Sequence, residues 1–115
     1  MKLVSDILIV IVALLHFFFL YLEMFLWDKP RGMKSFNLTP EFAKQSKRLA
    51  MNQGLYNGFL AAGLLWGLFA GDAVKIFFLS CVIIAGIFGA YTVSKRIFYI
   101  QAVPAILALV VLLVF

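Results

Sequence analysis

The sequence has little of what soluble enzymes and disulfide-linked proteins are built from. Of its 115 residues, 13% are charged, one is a cysteine and one is a histidine. A single cysteine, Cys81, excludes an internal disulfide, and with one histidine it is too small a set for a familiar zinc site. The chain also lacks a nucleotide-binding glycine loop and a serine triad. We therefore expect no metal and no cofactor.

Apolar sequence dominates instead, with 65% of the residues hydrophobic. Four apolar runs, each about 19 to 25 residues long, occupy residues 3–27, 49–71, 73–93 and 97–115. A helix of about 20 residues crosses a hydrocarbon core about 30 Å thick. The sequence therefore predicts an all-α integral membrane protein, a four-helix bundle with antiparallel neighbours and a single transmembrane domain over residues 1–115.

Basic residues are concentrated in two of the three predicted connections. Eight lysines and arginines lie in the loop 28–48 and in the third connection, against two on the opposite side. The positive-inside rule then places both connections in the cytoplasm and both termini on the outer side. The net charge of +5 fits this topology and contact with anionic lipid at the basic loop better than it fits nucleic acid.

The loop after the first run contains signals for the start of a helix. Trp27 is placed where an interfacial anchor lies, and residues 28–32 end the first helix. Residues 39–41, Thr-Pro-Glu, are an N-cap, a proline at the first helical position and an acid in the first turn. We expect the second membrane helix to begin at Pro40 as an amphipathic turn at the membrane surface.

Polar side chains recur at one depth of the predicted bundle, toward its cytoplasmic side. Glu23 lies about 6 Å inside the end of the first span, and His16 lies two turns further along the same helix face. The candidates for ligand binding or proton exchange are His16, Glu23, Asn52, Gln53, Tyr56, Asn57, Tyr91 and Gln101. Pro104 predicts a kink beside them. Together they favour a small polar pocket open to the cytoplasm, whereas any one alone favours an ordinary bond between helices.

Five strings carry a resemblance to a known family. They are LH at 15–16, LEMF at 22–25, NQGLYNGFLA at 52–61, GIFGA at 86–90 and QAVPA at 101–105. In this order, and along essentially the whole chain, they resemble the bacterial family catalogued as domain of unknown function 1304. The resemblance implies a short bacterial four-helix membrane protein without an established activity, and it transfers no catalytic role. We expect the protein in the bacterial cytoplasmic (inner) membrane. It supports as important positions His16, Glu23, Asn52, Gln53, Tyr56, Asn57, Gln101 and Pro104.

Three functions remain open from the sequence. The first is binding or transport of a small amphipathic molecule, with Glu23 or His16 exchanging a proton. The second is an intramembrane acid–base enzyme of the isomerase type on a lipid-like substrate, in which Asn57 or Gln101 polarises a carbonyl or hydroxyl. The third is an accessory protein whose helices bind a partner in the membrane through exposed stripes of small residues on the second and third helices. A homo-oligomer is a further possible assembly. Stripes buried inside the bundle would argue against the accessory protein.

Overall fold

The computed structural model describes all residues, 1–115, and consists of helices without strands. The five helices are α1 (Lys2–Phe25), α2 (Pro30–Phe36), α3 (Pro40–Ala70), α4 (Asp72–Thr92) and α5 (Lys95–Val114). The prediction of an all-α protein is confirmed. There are five helices where four were expected, because the loop 28–48 contains α2 and the first turns of α3.

Three of these helices, α1, α4 and α5, are long and apolar enough to cross a membrane by their length and composition. They indicate a membrane protein. The prediction of a fourth apolar span is not confirmed. With 31 residues, α3 is long enough, but it contains the amide side chains of Asn52, Gln53 and Asn57 and is less apolar than the other three.

The chain forms two compact units. Unit 1 consists of Met1–Leu14 and Leu60–Phe115, and unit 2 consists of Leu15–Phe59. Unit 1 has a core of apolar side chains at spacings of three and four residues, which is the pattern of one apolar helix face. Its members are Ile9, Val12, Ala13, Ala61, Leu64, Leu79, Val82, Ala105 and Ala108.

Small residues bring the helices of unit 1 close together. A Cβ atom added to Gly86 of α4 would lie 2.8 Å from the Cβ atom of Ala102 in α5. A Cβ atom added to Gly67 of α3 would lie 3.0 Å from the Cγ atom of Lys75 in α4. Both glycines are buried. These two glycines are therefore used for packing within the unit and are not offered to a partner protein.

Helix α5 changes its type near its start. A π-helical segment, Phe98–Ala102, separates the α-helical residues Lys95–Ile97 from Val103–Val114. The N–H group of Val103 donates to the carbonyl oxygen of Phe98, five residues earlier. Pro104, which has no N–H group to donate, follows directly. The position at which the sequence predicts a kink therefore adjoins a local change of helix type.

In unit 2, the chain between α1 and α3 folds back on the end of α1. A Cβ atom added to Gly32 would lie 1.8 Å from the carbonyl oxygen of Leu26, so only glycine fits there. The Trp27 ring lies 4.9 Å from the Phe36 ring, centroid to centroid, and its Nε1–H donates to Ser46 Oγ at 2.9 Å. We call this arrangement of residues 26–47 the clasp.

The predicted start of the long helix is confirmed. Pro40 is its first residue and Glu41 lies in its first turn. The backbone N–H of Phe42 donates to Thr39 Oγ1 at 3.2 Å, so the threonine caps the helix as its sequence position indicates. The clasp and this cap together determine where α3 begins beside α1 in unit 2.

The ion pair of the clasp gives a prediction about pH. Lys47 Nζ lies 3.0 Å from Asp28 Oδ2, and this hydrogen bond lowers the pKa of the Asp28 carboxyl. Because the folded state has the lower pKa, the pair stabilises the fold above the ordinary aspartate pKa, about 3.9, and this contribution is lost as the pH falls through the folded pKa. We expect Lys47→Met to lower Tm slightly at about pH 7 and to leave it unchanged at about pH 2.

The measurement is Tm as a function of pH for the native chain, Lys47→Met and Lys44→Met. Lys44 is a suitable control because it is exposed and forms no salt bridge. A difference between Lys47→Met and the native chain that stays the same at every pH would contradict the prediction.

Candidate functional site

Helices α1 and α3 approach each other closely in unit 2. A Cβ atom added to Gly54 would lie 2.6 Å from Met24 Cγ and 3.1 Å from Glu23 Cβ. One added to Gly58 would lie 2.6 Å from a leucine side chain of α1. Small residues permit such a separation between helix backbones. Asn57 follows Gly54 by three residues and so lies on the same side of α3, where its side chain reaches Glu23.

Glu23 and Asn57 form the polar centre of unit 2. The Asn57 Nδ2–H donates to Glu23 Oε1 at 2.5 Å. Both residues are buried, with 8% of Glu23 and 5% of Asn57 exposed. Ionisable side chains within a membrane helix are costly, so such a residue calls for a partner or a function. The amide supplies one hydrogen bond to the carboxyl and no compensating charge.

No lysine or arginine lies within salt-bridge distance of Glu23. The salt bridges of the protein instead involve Asp6, Asp28 and Asp72. No buried side-chain nitrogen or oxygen lacks a hydrogen-bond partner. Because Asn57 occupies Oε1, we assign the exposed part of the carboxyl to Oε2. The pair can therefore accept a cation or a further hydrogen-bond donor at this oxygen.

His16 lies in the same unit, seven residues before Glu23 on α1. It is fully buried, and its ring packs edge-on against Phe19 with the centroids 5.3 Å apart. A side chain that is enclosed in this way is held in place by its neighbours. The structure thus places His16 among packed residues, while Glu23 keeps a small exposed area.

The other predicted residues of α3 differ from Asn57 in their burial. Asn52, Gln53 and Tyr56 are exposed. With about 100° of rotation per helical residue, Asn52 lies about 140° around the helix from Asn57. Tyr56 lies about 100° and Gln53 about 40° from Asn57. The structure thus encloses Asn57 with Glu23 and leaves Asn52, Gln53 and Tyr56 exposed, with Asn52 turned furthest from Asn57.

The last two predicted residues belong to unit 1. Tyr91, near the end of α4, is 89% exposed, and Gln101 lies half-buried in the π-helical segment of α5. Unit 1 also contains two cavities, of about 270 and 300 Å³. The first is lined by Met1, Lys2, Ser5, Asp72, Val111, Leu112 and Phe115, and the second by Trp66, Ala73, Val74, Phe77 and Phe78. None of the predicted site residues lines either cavity.

Sequence reasoning missed a second charged group, in unit 1. Lys75 is buried, and its Nζ lies 2.8 Å from Asp6 Oδ1 and 3.6 Å from Asp72 Oδ1. In the sequence, Lys75 is one of the two basic residues on the predicted outer side and indicates only topology. The signal that could have revealed the pair is that Asp6 and Lys75 carry opposite charges and both lie within apolar runs, where ionisable residues need partners.

Comparison with known proteins supports the resemblance found in the sequence. The chain is 33% identical to the Uncharacterized protein YpaA of Lactococcus lactis subsp. lactis (strain IL1403), over 96% of this chain and 97% of that protein. No solved structure matches the chain. A family model described as "Protein of unknown function (DUF1304)" matches residues 10–113. The expected resemblance is thereby confirmed, and the chain belongs to the DUF1304 family of proteins of unknown function.

Proposed function

We propose that the protein binds a small amphipathic cation in the membrane, with Glu23 as the group that recognises its charge. The observation that carries the proposal is a carboxyl in an apolar helix that is bonded to a neutral amide and has no basic side chain in reach. A cationic head group at Oε2 would supply the missing charge. The apolar part of such a ligand would remain in a hydrocarbon environment.

Asn57 serves in this proposal as a positioning residue. Its amide holds Oε1 and thereby directs the carboxyl, so that Oε2 remains available to the ligand. Gly54 supports the arrangement because it keeps the α3 backbone against Glu23. A larger side chain at position 54 would separate the two helices and lengthen the bond between Asn57 and Glu23.

The basic residues of the clasp indicate on which side of the membrane Glu23 lies. The clasp carries half of the ten lysines and arginines of the chain, namely Lys29, Arg31, Lys34, Lys44 and Lys47, of which Lys47 is paired with Asp28. We place this side in the cytoplasm of a bacterial cell, where anionic lipid head groups would contact the basic residues. Glu23 lies four residues before Trp27 and is thus about 6 Å from the cytoplasmic interface.

The burial of His16 favours binding over the acid–base enzyme. An enzyme of that kind would need both His16 and Glu23 to reach one substrate. His16 has 0% of its surface exposed, whereas Glu23 has 8%. One accessible acidic group beside an amide is suited to recognising a cation, and it does not by itself supply an acid and a base.

The test is a pair of probes of the same shape and opposite charge. Tetraphenylphosphonium is a lipophilic cation, and tetraphenylborate is its anionic counterpart. We expect the phosphonium to raise the thermal stability of the purified protein, by about 2.7 kcal/mol at a hundredfold excess over Kd, and the borate to have no such effect. Glu23→Gln keeps the shape of the side chain, removes its charge and should abolish the stabilisation.

Glu41→Gln is the matched control, because Glu41 is an exposed carboxylate in the first turn of α3. It should respond to the phosphonium as the native chain does. Asn57→Ala should weaken the response without abolishing it. Equal stabilisation of the native chain and of Glu23→Gln, or equal effects of the two probes, would rule out the proposal. Uptake of the phosphonium into vesicles that contain the protein would extend the proposal from binding to transport.

A further inference from the structure

One face of α3 in unit 2 is exposed and has the spacing of a helix–helix contact. Arg48, Asn52, Leu55 and Phe59 follow each other at intervals of four, three and four residues, and all four are exposed. Apolar residues at alternating spacings of three and four form the seam of paired helices, and Leu55 and Phe59 are the apolar members of this series. Tyr56, which is 56% exposed, lies beside this seam. We call Asn52, Leu55, Tyr56 and Phe59 the outer seam.

The depth of the outer seam follows from contacts within unit 2. Ser46 accepts a hydrogen bond from Trp27, so this part of α3 lies level with the end of α1. A Cβ atom on Gly54 would lie 3.1 Å from that of Glu23, so Gly54 lies level with Glu23. Asn52 is two residues from Gly54, or about 3 Å along the axis. The Asn52 amide therefore lies about 3 Å nearer to the cytoplasmic side than Glu23, level with the last turn of α1 and still inside its apolar run.

An exposed amide at this depth finds no hydrogen-bond partner in the hydrocarbon around it. Lipid tails neither donate nor accept hydrogen bonds, so polar side chains within the membrane normally face another helix. The remaining members of the outer seam are apolar or aromatic and can pack against a partner. The surface that covers this face must therefore offer apolar contact around one hydrogen-bonding group.

A second copy of the chain meets this requirement. Copies inserted in the same orientation hold Asn52 at the same depth, so that a two-fold axis normal to the membrane brings the two amides together. Each amide both donates and accepts, which makes the pair self-complementary. A single asparagine within an apolar seam also determines the register of paired helices. We propose that the outer seam of α3 is the interface of a homodimer, with Asn52 paired to Asn52 of the other copy.

The proposal is independent of ligand binding, and its first test is cross-linking in membranes. In a Cys81→Ala background, which removes the native cysteine, Leu55→Cys leaves Asn52 intact and places a thiol in the seam. We expect an oxidant to convert this variant into a covalent dimer. Tyr21→Cys is the control, because Tyr21 is 51% exposed on α1 of the same unit and should not cross-link. Equal cross-linking of the two variants would overturn the proposal, as would a product containing a different protein.

The second test measures association directly, by energy transfer between labelled copies in lipid vesicles at increasing protein-to-lipid ratios. We expect Asn52→Ala to weaken association about threefold, which corresponds to an average interhelical hydrogen bond in a membrane, about 0.6 kcal/mol. Asn52→Gln retains the amide and should restore most of the loss. A native chain that remains monomeric at every ratio would overturn the proposal, and so would equal association of the native chain and Asn52→Ala.

Discussion

Alanine at Gly32 is expected to open the clasp and to destabilise the protein by about 3 kcal/mol. The added Cβ atom would lie 1.8 Å from the carbonyl oxygen of Leu26 and 2.5 Å from its carbon. Both atoms belong to the backbone, so no side-chain rotation can relieve the overlap. Helix α2 must move away from the end of α1, and the contacts of Trp27 with Phe36 and Ser46 are lost with it.

Tryptophan fluorescence measures this change directly. In a Trp66→Phe background, Trp27 is the remaining tryptophan, and Gly32→Ala should shift its emission to longer wavelength and lower Tm. Gly58→Ala is the matched control, since its new Cβ atom would meet Cδ1 of Leu20, the mobile end of a flexible side chain. Glycine also costs helix stability relative to alanine, by about 1 kcal/mol, so this control should be neutral or slightly stabilising. Native Tm and emission in Gly32→Ala would contradict the prediction.

Replacement of Asp6 by asparagine is expected to destabilise the protein by about 3 kcal/mol, because it leaves the buried ammonium of Lys75 without its nearest carboxylate. Lys75 Nζ lies 2.8 Å from Asp6, and the lysine side chain is 2% exposed. Asp72 lies 3.6 Å from the same nitrogen and is 70% exposed, so water already solvates it. Asp72→Asn should therefore cost less than about 1 kcal/mol, as exposed ion pairs do.

Asp6→Asn and Asp72→Asn make the same chemical change in the two aspartates that contact Lys75. Thermal unfolding of both variants in the same detergent measures the difference between their losses of stability, and no absolute free energy of unfolding is needed. Lys75→Met should destabilise the protein less than Asp6→Asn does. It leaves Asp6 and Asp72 without their lysine, but these two carboxylates are partly or largely accessible to water. Equal losses for Asp6→Asn and Asp72→Asn would show that burial of the lysine does not determine its dependence on Asp6.

Much of the fold could be predicted because its signals are local. The start of α3 depends on Thr39, Pro40 and Glu41, which are neighbours in sequence and act through backbone conformation and capping. Three of the apolar runs are long enough that no tertiary contact is needed to recognise them. Glu23 and Asn57 were also identifiable as candidates, since polar residues within apolar runs are few.

The pairing within the site could not be predicted in the same way. That Asn57 faces Glu23 depends on the register between α1 and α3, which the clasp and Gly54 establish through contacts between distant residues. The clasp depends on Gly32, whose role is visible only once the Leu26 carbonyl lies against it. The outward position of Asn52, by contrast, follows from helix periodicity. The predicted set of site residues was defined by their shared depth in the membrane, which does not distinguish one helix face from another.

The π-helical segment in α5 has a consequence for how the chain tolerates changes in length. A π-turn holds one residue more than an α-turn, so the residues after it are turned by about 100° relative to an uninterrupted α-helix. Ala105 and Ala108 are buried in this turned position. Deletion of one residue within Phe98–Ala102 would yield a regular helix and direct these alanines elsewhere. The segment thus acts as one inserted residue, and the burial of Ala105 and Ala108 in the core of unit 1 depends on it.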